Sequence, residues 1–135
     1  MTKVYLARHG QTEWNKKLTF RGRIDIPLNE GGHREAEAIA EALKDKNIHA
    51  IYTSPLRRSI ETAQPTAKFF HLDIVPVEGL IDISYGDWEG LTFNEVKEKY
   101  KDHHVQWEKR PDLVRVPHGE TLHEARERSF SAFKD

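Results

Sequence analysis

Hydrophobic and polar positions along the chain fall into short blocks of recognisable period. Val4, Tyr5, Leu6 and Ala7 form an apolar run closed by Arg8, His9 and Gly10, the pattern of a buried strand that ends in polar residues and a glycine turn. Residues 11–32 hold no sustained period and contain Gly22, Pro27, Gly31 and Gly32, so they read as a long loop whose basic content favours a functional role. From His33 to Lys46, Ala36, Ile39, Ala40 and Leu43 recur at helical spacing with charges between them, which predicts a helix packed on one face.

Ala50 to Thr53 makes a second short strand, followed by Ser54 as an N-cap hydroxyl and Pro55 at the first helical position. The helix that follows carries Arg57 and Arg58, and Pro65 inside it predicts a kink or a restart before Ala67. Ile74, Val75, Pro76 and Val77 read as a third strand, placed at a sheet edge by the proline. Asn94 to Tyr100 reads as helical, and a polar segment with Trp107 and Pro111 follows. Thr121 and Glu124 then resemble a capping box for a final helix through Phe133. The order strand, helix, strand, helix, strand is that of an α/β layer with a parallel sheet, in which ligands bind at the carboxyl ends of strands.

Composition narrows this little. The chain has 135 residues, enough for one domain, and 21 Lys and Arg against 22 Asp and Glu leave a net charge of -1. No global field recruits nucleic acid or an anionic membrane, so an anion site must come from local clustering. The absence of cysteine excludes a disulfide framework, a thiolate metal site and a cysteine nucleophile. No stretch approaches the roughly 20 apolar residues of a membrane span, and Met1, Thr2 and Lys3 lead directly into the first strand, so a cytoplasmic location is expected.

The chemistry collects at strand ends. Arg8, His9 and Gly10, the loop residues Arg21 and Arg23, and Arg57 with Arg58 all follow predicted strands or lie in the long loop, and a parallel sheet would make them converge. Convergent guanidinium groups and a helix N-terminus suit a tetrahedral or planar anion. Cations favour the neutral form of a neighbouring histidine, and a neutral imidazole nitrogen is a competent nucleophile towards phosphorus. His9 is therefore the leading candidate.

The stretch Tyr5-Leu6-Ala7-Arg8-His9-Gly10-Gln11-Thr12-Glu13-Trp14-Asn15 resembles the opening motif of the histidine phosphatase superfamily, the phosphoglycerate mutase-like proteins. The resemblance continues in order through Asp25-Ile26-Pro27-Leu28-Asn29 with Gly32, and through Tyr52 to Ser59 with Glu61-Thr62-Ala63. It goes on to Gly86-Asp87-Trp88-Glu89-Gly90 and Gly119-Glu120-Thr121. It implies an α/β three-layer sandwich with a mostly parallel sheet flanked by helices. It also implies phosphoryl transfer through a phosphohistidine on His9, with Arg8 and Arg58 holding phosphoryl oxygens and Asn15 near the same anion. No metal or other cofactor is expected in that mechanism. Asp82 stands where many relatives carry a glutamate that protonates the leaving group, and is the candidate general acid; its shorter arm must sit closer to the leaving oxygen.

Three departures from the family pattern carry expectations. Arg21 occupies what looks like a glutamine position and Arg23 an aromatic one, so a substrate with additional anionic groups is expected, with Arg21, Gly22, Arg23 and His118 as further substrate contacts. Relatives carry a second essential histidine in a strand downstream of the glycine-glutamate motif. His118-Gly119 has no apolar strand ahead of it and is not that histidine. The chain is accordingly expected to be a single domain, residues 1–135, incomplete at its C-terminal end. It would lack a strand beside the first one, and the uncovered sheet edge offers a surface for self-association.

Bland readings compete at several positions. Arg57 fits a solvated helix face as well as a ligand, Glu89 a turn-forming carboxylate, and His103-His104 an exposed pair rather than a metal site. Trp14, Trp88 and Trp107 suit packing, with Trp107 also able to wall a substrate pocket. The function expected is a phosphomonoesterase acting on a small phosphorylated metabolite. The alternatives are mutase-type transfer to a bound sugar acid and a non-catalytic phosphate-binding or interaction module. The short interval between Gly90 and Gly119 looks more like the phosphatase branch.

Overall fold

The computed structural model describes all 135 residues. Helices account for most of its regular structure: α1 (Glu13–Lys16), α2 (Glu30–Leu43), α3 (Arg57–Phe70), α4 (Phe93–Lys99), α5 (Lys101–Lys109) and α6 (Leu122–Lys134). The sheet has two parallel strands, β1 (Ile51–Thr53) and β2 (Ile74–Pro76), joined through α3 in a β-α-β unit, with Ile51 opposite Ile74 and Thr53 opposite Pro76. Helix α3 packs on both strands and on α2. No helix is long and apolar enough to cross a membrane.

Several elements differ from the sequence expectation, each for a readable reason. Val4–Ala7 forms no strand, and Leu6 is 89% exposed. An apolar run supplies β propensity, but a strand exists only with a hydrogen-bonded neighbour, and the β1–β2 pair is the whole sheet. Helix α2 starts at Glu30, three residues before the expected start at His33, because the Asn29 side chain accepts from the Gly32 N–H at 2.8 Å and caps it. The loop of residues 11–32 holds the one-turn α1, closed by a capping box between Thr12 and Asn15.

Pro65 interrupts nothing: α3 runs from Arg57 to Phe70 as one helix, which packing on α2 and the strands supports despite the missing N–H. Ser54 is not its N-cap. Leu56 holds that place without a side-chain bond, and the Arg57 N–H is satisfied from afar by Asp25 Oδ1 at 2.7 Å. The polar segment around Trp107 is helix α5, which has only a weak apolar stripe and leans on the aromatic core. The box at Thr121 and Glu124 does cap α6.

That core is formed by Phe20, Trp88, Val96 and Val116, with Tyr85, Tyr100 and Trp107 against it. Ring centroids lie 5.2 Å apart for Phe20 and Trp88 and 5.8 Å for Trp88 and Trp107, ordinary spacings for tilted or edge-to-face pairs. Phe20 and Leu91 exchange backbone contacts with their neighbours (Phe20 N–H to Leu91 O, Gly90 N–H to Phe20 O), which ties the long loop to the segment leading into α4.

Two glycines let the first turn approach α2. A Cβ on Gly10 would lie 2.6 Å from the Gly32 carbonyl oxygen, and one on Gly32 would lie 2.2 Å from the Gln11 carbonyl oxygen. Gly32→Ala must therefore push α2 away from the turn that follows His9. It is expected to cost about 1–3 kcal/mol, the usual range for overpacking, read as a lowered midpoint in denaturant unfolding; an unchanged midpoint would show that the turn shifts freely.

Candidate active site

His9 sits half-buried between the extended N-terminal segment and α1, and its Nδ1 lies 2.7 Å from the Gly10 carbonyl oxygen. A carbonyl only accepts, so Nδ1 carries the proton and Nε2 keeps its lone pair. The next turn is anchored by the Gly10 N–H donating to Thr62 Oγ1 at 2.9 Å, while that hydroxyl donates to the Arg58 carbonyl at 2.6 Å. Burial lowers the pKa of His9 from the ordinary 6.5, the Gly10 hydrogen bond opposes this, and the charges of Arg21 and Arg58 add to the lowering.

Arg58 is 1% exposed, yet it is a cation. Its Nη1 donates to Ile24 O at 2.9 Å, and its Nη2 to Gly22 O at 2.5 Å and to Asp82 Oδ2 at 3.0 Å. Three of its five donors are thereby engaged and two have no partner within the chain; neither Arg58 nor Asp82 lines the cavities that contain His9 and Arg21. Gly22 lies in the left-handed region at φ +52°, and a Cβ there would overlap the Glu89 carboxylate. Glu89 accepts from the Arg23 N–H at 2.7 Å and from the Tyr85 N–H at 3.3 Å, a structural task.

The loop bearing Asp82 is held by a residue that sequence reasoning missed. Arg128, on α6, donates to the carbonyls of Gly79, Ile81 and Asp82 at 3.0, 2.6 and 3.0 Å, and Glu120 binds the same guanidinium at 2.6 and 2.9 Å. That pairing is the main reason Glu120 titrates below an ordinary glutamate. Asp82 Oδ1 accepts from the Ile83 N–H at 2.8 Å, so the carboxylate is held both by its own loop and by Arg58. No local signal announces Arg128, because its partners lie more than 45 residues away apart from Glu120.

Two adjoining cavities meet here. One, of about 440 Å³, is lined by Arg8, His9, Trp14, Asn15 and Arg21 among others, and the second, of about 490 Å³, by Arg8, Arg21, Tyr85, Phe93, His104 and Trp107. Arg8 is exposed over both. Asn15 uses its carbonyl to accept from the Thr12 N–H at 2.8 Å and hydroxyl at 3.1 Å, which leaves its amide N–H groups for a ligand. Arg23 pairs with Glu120 at 3.3 Å while its Nε donates to the Asp82 carbonyl at 3.4 Å, and Arg57 pairs with Glu61 at 3.2 Å on α3. His118 is 83% exposed, paired with Asp87 at 3.0 Å, and lines neither cavity. His103 is exposed, whereas His104 is buried in the wall of the second cavity, contrary to the reading of both as solvent-facing. Tyr85, Phe93 and His104 carried no local signal for a cavity role; Trp107 was expected to be able to wall one.

The site thus joins a half-buried histidine, under the charges of two arginines, to a carboxylate paired with a buried guanidinium. The family model of the histidine phosphatase superfamily (branch 1) matches residues 4–135, and the chain belongs to that superfamily. It is 34% identical over 122 residues to phosphoserine phosphatase 1 of Hydrogenobacter thermophilus, covering 90% of this chain and 58% of that protein. It is 41% identical over 102 residues to the uncharacterized phosphatase PhoE of Bacillus subtilis, covering 76% of this chain and 53% of that protein. The solved structure of Bacillus stearothermophilus YhfR superposes with a TM-score of 0.89 at 31% identity, over 94% of this chain and 63% of that one. The chain thus spans little more than half the length of these two curated relatives.

The lowered pKa of His9 gives a pH dependence with a definite sign. Because the folded-state value lies below the ordinary 6.5, the unfolded chain takes up this proton first as pH falls. The His9 contribution to stability is complete above about pH 6.5 and is lost as pH falls through its folded-state value. An NMR titration is expected to place the His9 midpoint below 6.5. In Arg21→Gln it should move upward without reaching 6.5, since burial, the larger cause, remains; an unmoved midpoint would remove Arg21 from the electrostatics of the site.

Proposed function

We propose that this chain carries the catalytic chemistry of a phosphomonoesterase that hydrolyses a small phosphorylated metabolite through a phosphohistidine on His9. The observation that carries the reading is the placement of His9: its Nδ1 lies 2.7 Å from the Gly10 carbonyl oxygen, a contact that assigns the proton to Nδ1 and leaves Nε2 free, and the charges of Arg21 and Arg58 act on the ring. The phosphatase names borne by both curated relatives support hydrolysis as the fate of the phosphoryl group.

In this reading His9 Nε2 attacks phosphorus, the N–P bond forms and the bond from phosphorus to the ester oxygen breaks. Arg8, the two free donors of Arg58 and the Asn15 amide hold the phosphoryl oxygens, whose charge spreads in the transition state. Asp82 supplies the proton to the departing alcohol. Water then attacks the phosphohistidine, its proton returns to Asp82, and inorganic phosphate leaves with Nε2 restored. Asp25, Glu61 and Thr62 position this machinery without touching the phosphoryl group: Asp25 and Glu61 bind the N–H groups of Arg57 and Leu28, and Thr62 the N–H of Gly10.

Hydrolysis of an aryl phosphate without added metal tests this reading. His9→Ala is expected to lower turnover at least about a thousand-fold, as loss of a nucleophile does, with the far-UV spectrum unchanged; retained turnover would sink the assignment. A rapid acid quench is unsuitable because a phosphoramidate is acid-labile, so the intermediate is sought as base-stable label on His9. Asp82→Asn should slow alkyl phosphates by about 100- to 10,000-fold, the range for a lost general acid, and p-nitrophenyl phosphate much less, since that leaving group needs little protonation. Equal slowing of both esters would deny Asp82 the acid role.

A further inference from the structure

The arginines of this chain divide by what they hold. Arg23, Arg57, Arg58, Arg110, Arg115 and Arg128 each bind a carboxylate or a backbone carbonyl. Arg8, Arg34 and Arg126 are exposed to solvent. Arg21 alone is withdrawn from water with no acceptor: it is half-buried, its guanidinium makes no hydrogen bond or ion pair, and its Nε is fully buried without a partner. A buried, unpartnered cationic donor costs free energy unless something arrives to meet it. Desolvation accordingly depresses the proton affinity of this guanidinium, and the charges of Arg58 and Arg8 add to the effect.

Its position says where the partner would come from. Arg21 lines both cavities, at the seam between the one that contains His9 and the one walled by Tyr85, Phe93 and Trp107. In the proposed reaction the phosphoryl group already has Arg8 and Asn15, which line the cavity of His9. The second cavity has room for a leaving group, aromatic walls on which a flat or cyclic body packs, and a cation at its entrance.

We infer that Arg21 is a specificity residue for the leaving group: the substrate is a phosphomonoester whose alcohol carries a second oxyanion, a carboxylate or another phosphate, which Arg21 binds while the body of the alcohol lies against Tyr85, Phe93 and Trp107. The inference rests on the phosphomonoesterase reading for the identity of the first anion. Only Arg21, and neither Arg23 nor His118, meets the second one.

The test uses non-hydrolysable probes on the chain itself: calorimetric affinities for phenylphosphonate, 3-carboxyphenylphosphonate and benzene-1,3-bisphosphonate, at low ionic strength. The doubly anionic probes are expected to bind at least about ten-fold tighter than phenylphosphonate, the effect of one charge-assisted contact. In Arg21→Gln that ratio should collapse to about one. The carboxylate and bisphosphonate arms show which oxyanion is preferred. Equal affinities in the unmodified chain, which needs no variant to measure, overturn the inference. So does a preference that survives in Arg21→Gln, or an equal loss for all three probes, which would assign Arg21 to the transferred phosphoryl group. Turnover of phenyl phosphate by the same preparation separates the two readings. Turnover without preference removes the second-anion pocket alone, preference without turnover removes the enzyme reading alone, and the absence of both probe binding and turnover removes both.

Discussion

A charged guanidinium buried to 1% exposure constrains everything around it, and Arg58 is that group. Stripping a cation of water costs several kcal/mol unless acceptors surround it, and here Gly22 O, Ile24 O and Asp82 supply them. Those three residues come from two loops with no regular structure of their own, so the side chain that they satisfy also fixes where they lie. One turn later on the same face of α3, Thr62 anchors Gly10 and with it the ring of His9. The N-terminal half of a single helix thus positions His9, Asp82 and the loop of Gly22 and Ile24.

Arg128 repeats the device from the other side. It gathers three carbonyls of one loop, those of Gly79, Ile81 and Asp82, while Glu120 neutralises it, and the Asp82 loop is caught between two paired arginines on different helices. Compensation at these two positions sharpens the contrast with Arg8 and Arg21, whose charges stay unpaired beside the cavities. The pKa of His9 is lowered mainly by burial, with the charges of the unpaired Arg21 and of the paired Arg58 adding to it. The satisfied arginines tie the loops together, and the unsatisfied ones border the cavities.

Much of this was legible one residue at a time. The Thr121–Glu124 box, the apolar stripe of α2 and the strands after Ala50 and Asp73 involve neighbours within four positions or one short element, and all appear in the structure. What failed involved distant partners. Val4–Ala7 has the composition of a strand and no ladder, and α3 is capped by Asp25 from 32 residues away rather than by Ser54. Helix α5 shows weak periodicity because it is held by Trp107 and His104 against an aromatic core assembled from four separate segments.

Sequence alone determined the reactive set and its family: His9 among arginines, the ordered motifs from Tyr5 to Thr121, and the helices whose caps and stripes are local. Tertiary structure decided which arginines are spent and which are free. Arg23 and Arg21 are two residues apart with the same side chain, yet one reaches Glu120 across 97 positions and the other finds no acceptor. Periodicity and capping act over a turn or a strand, whereas the burial and pairing of a charge depend on which backbone carbonyls and carboxylates the whole fold brings within about 3 Å of it.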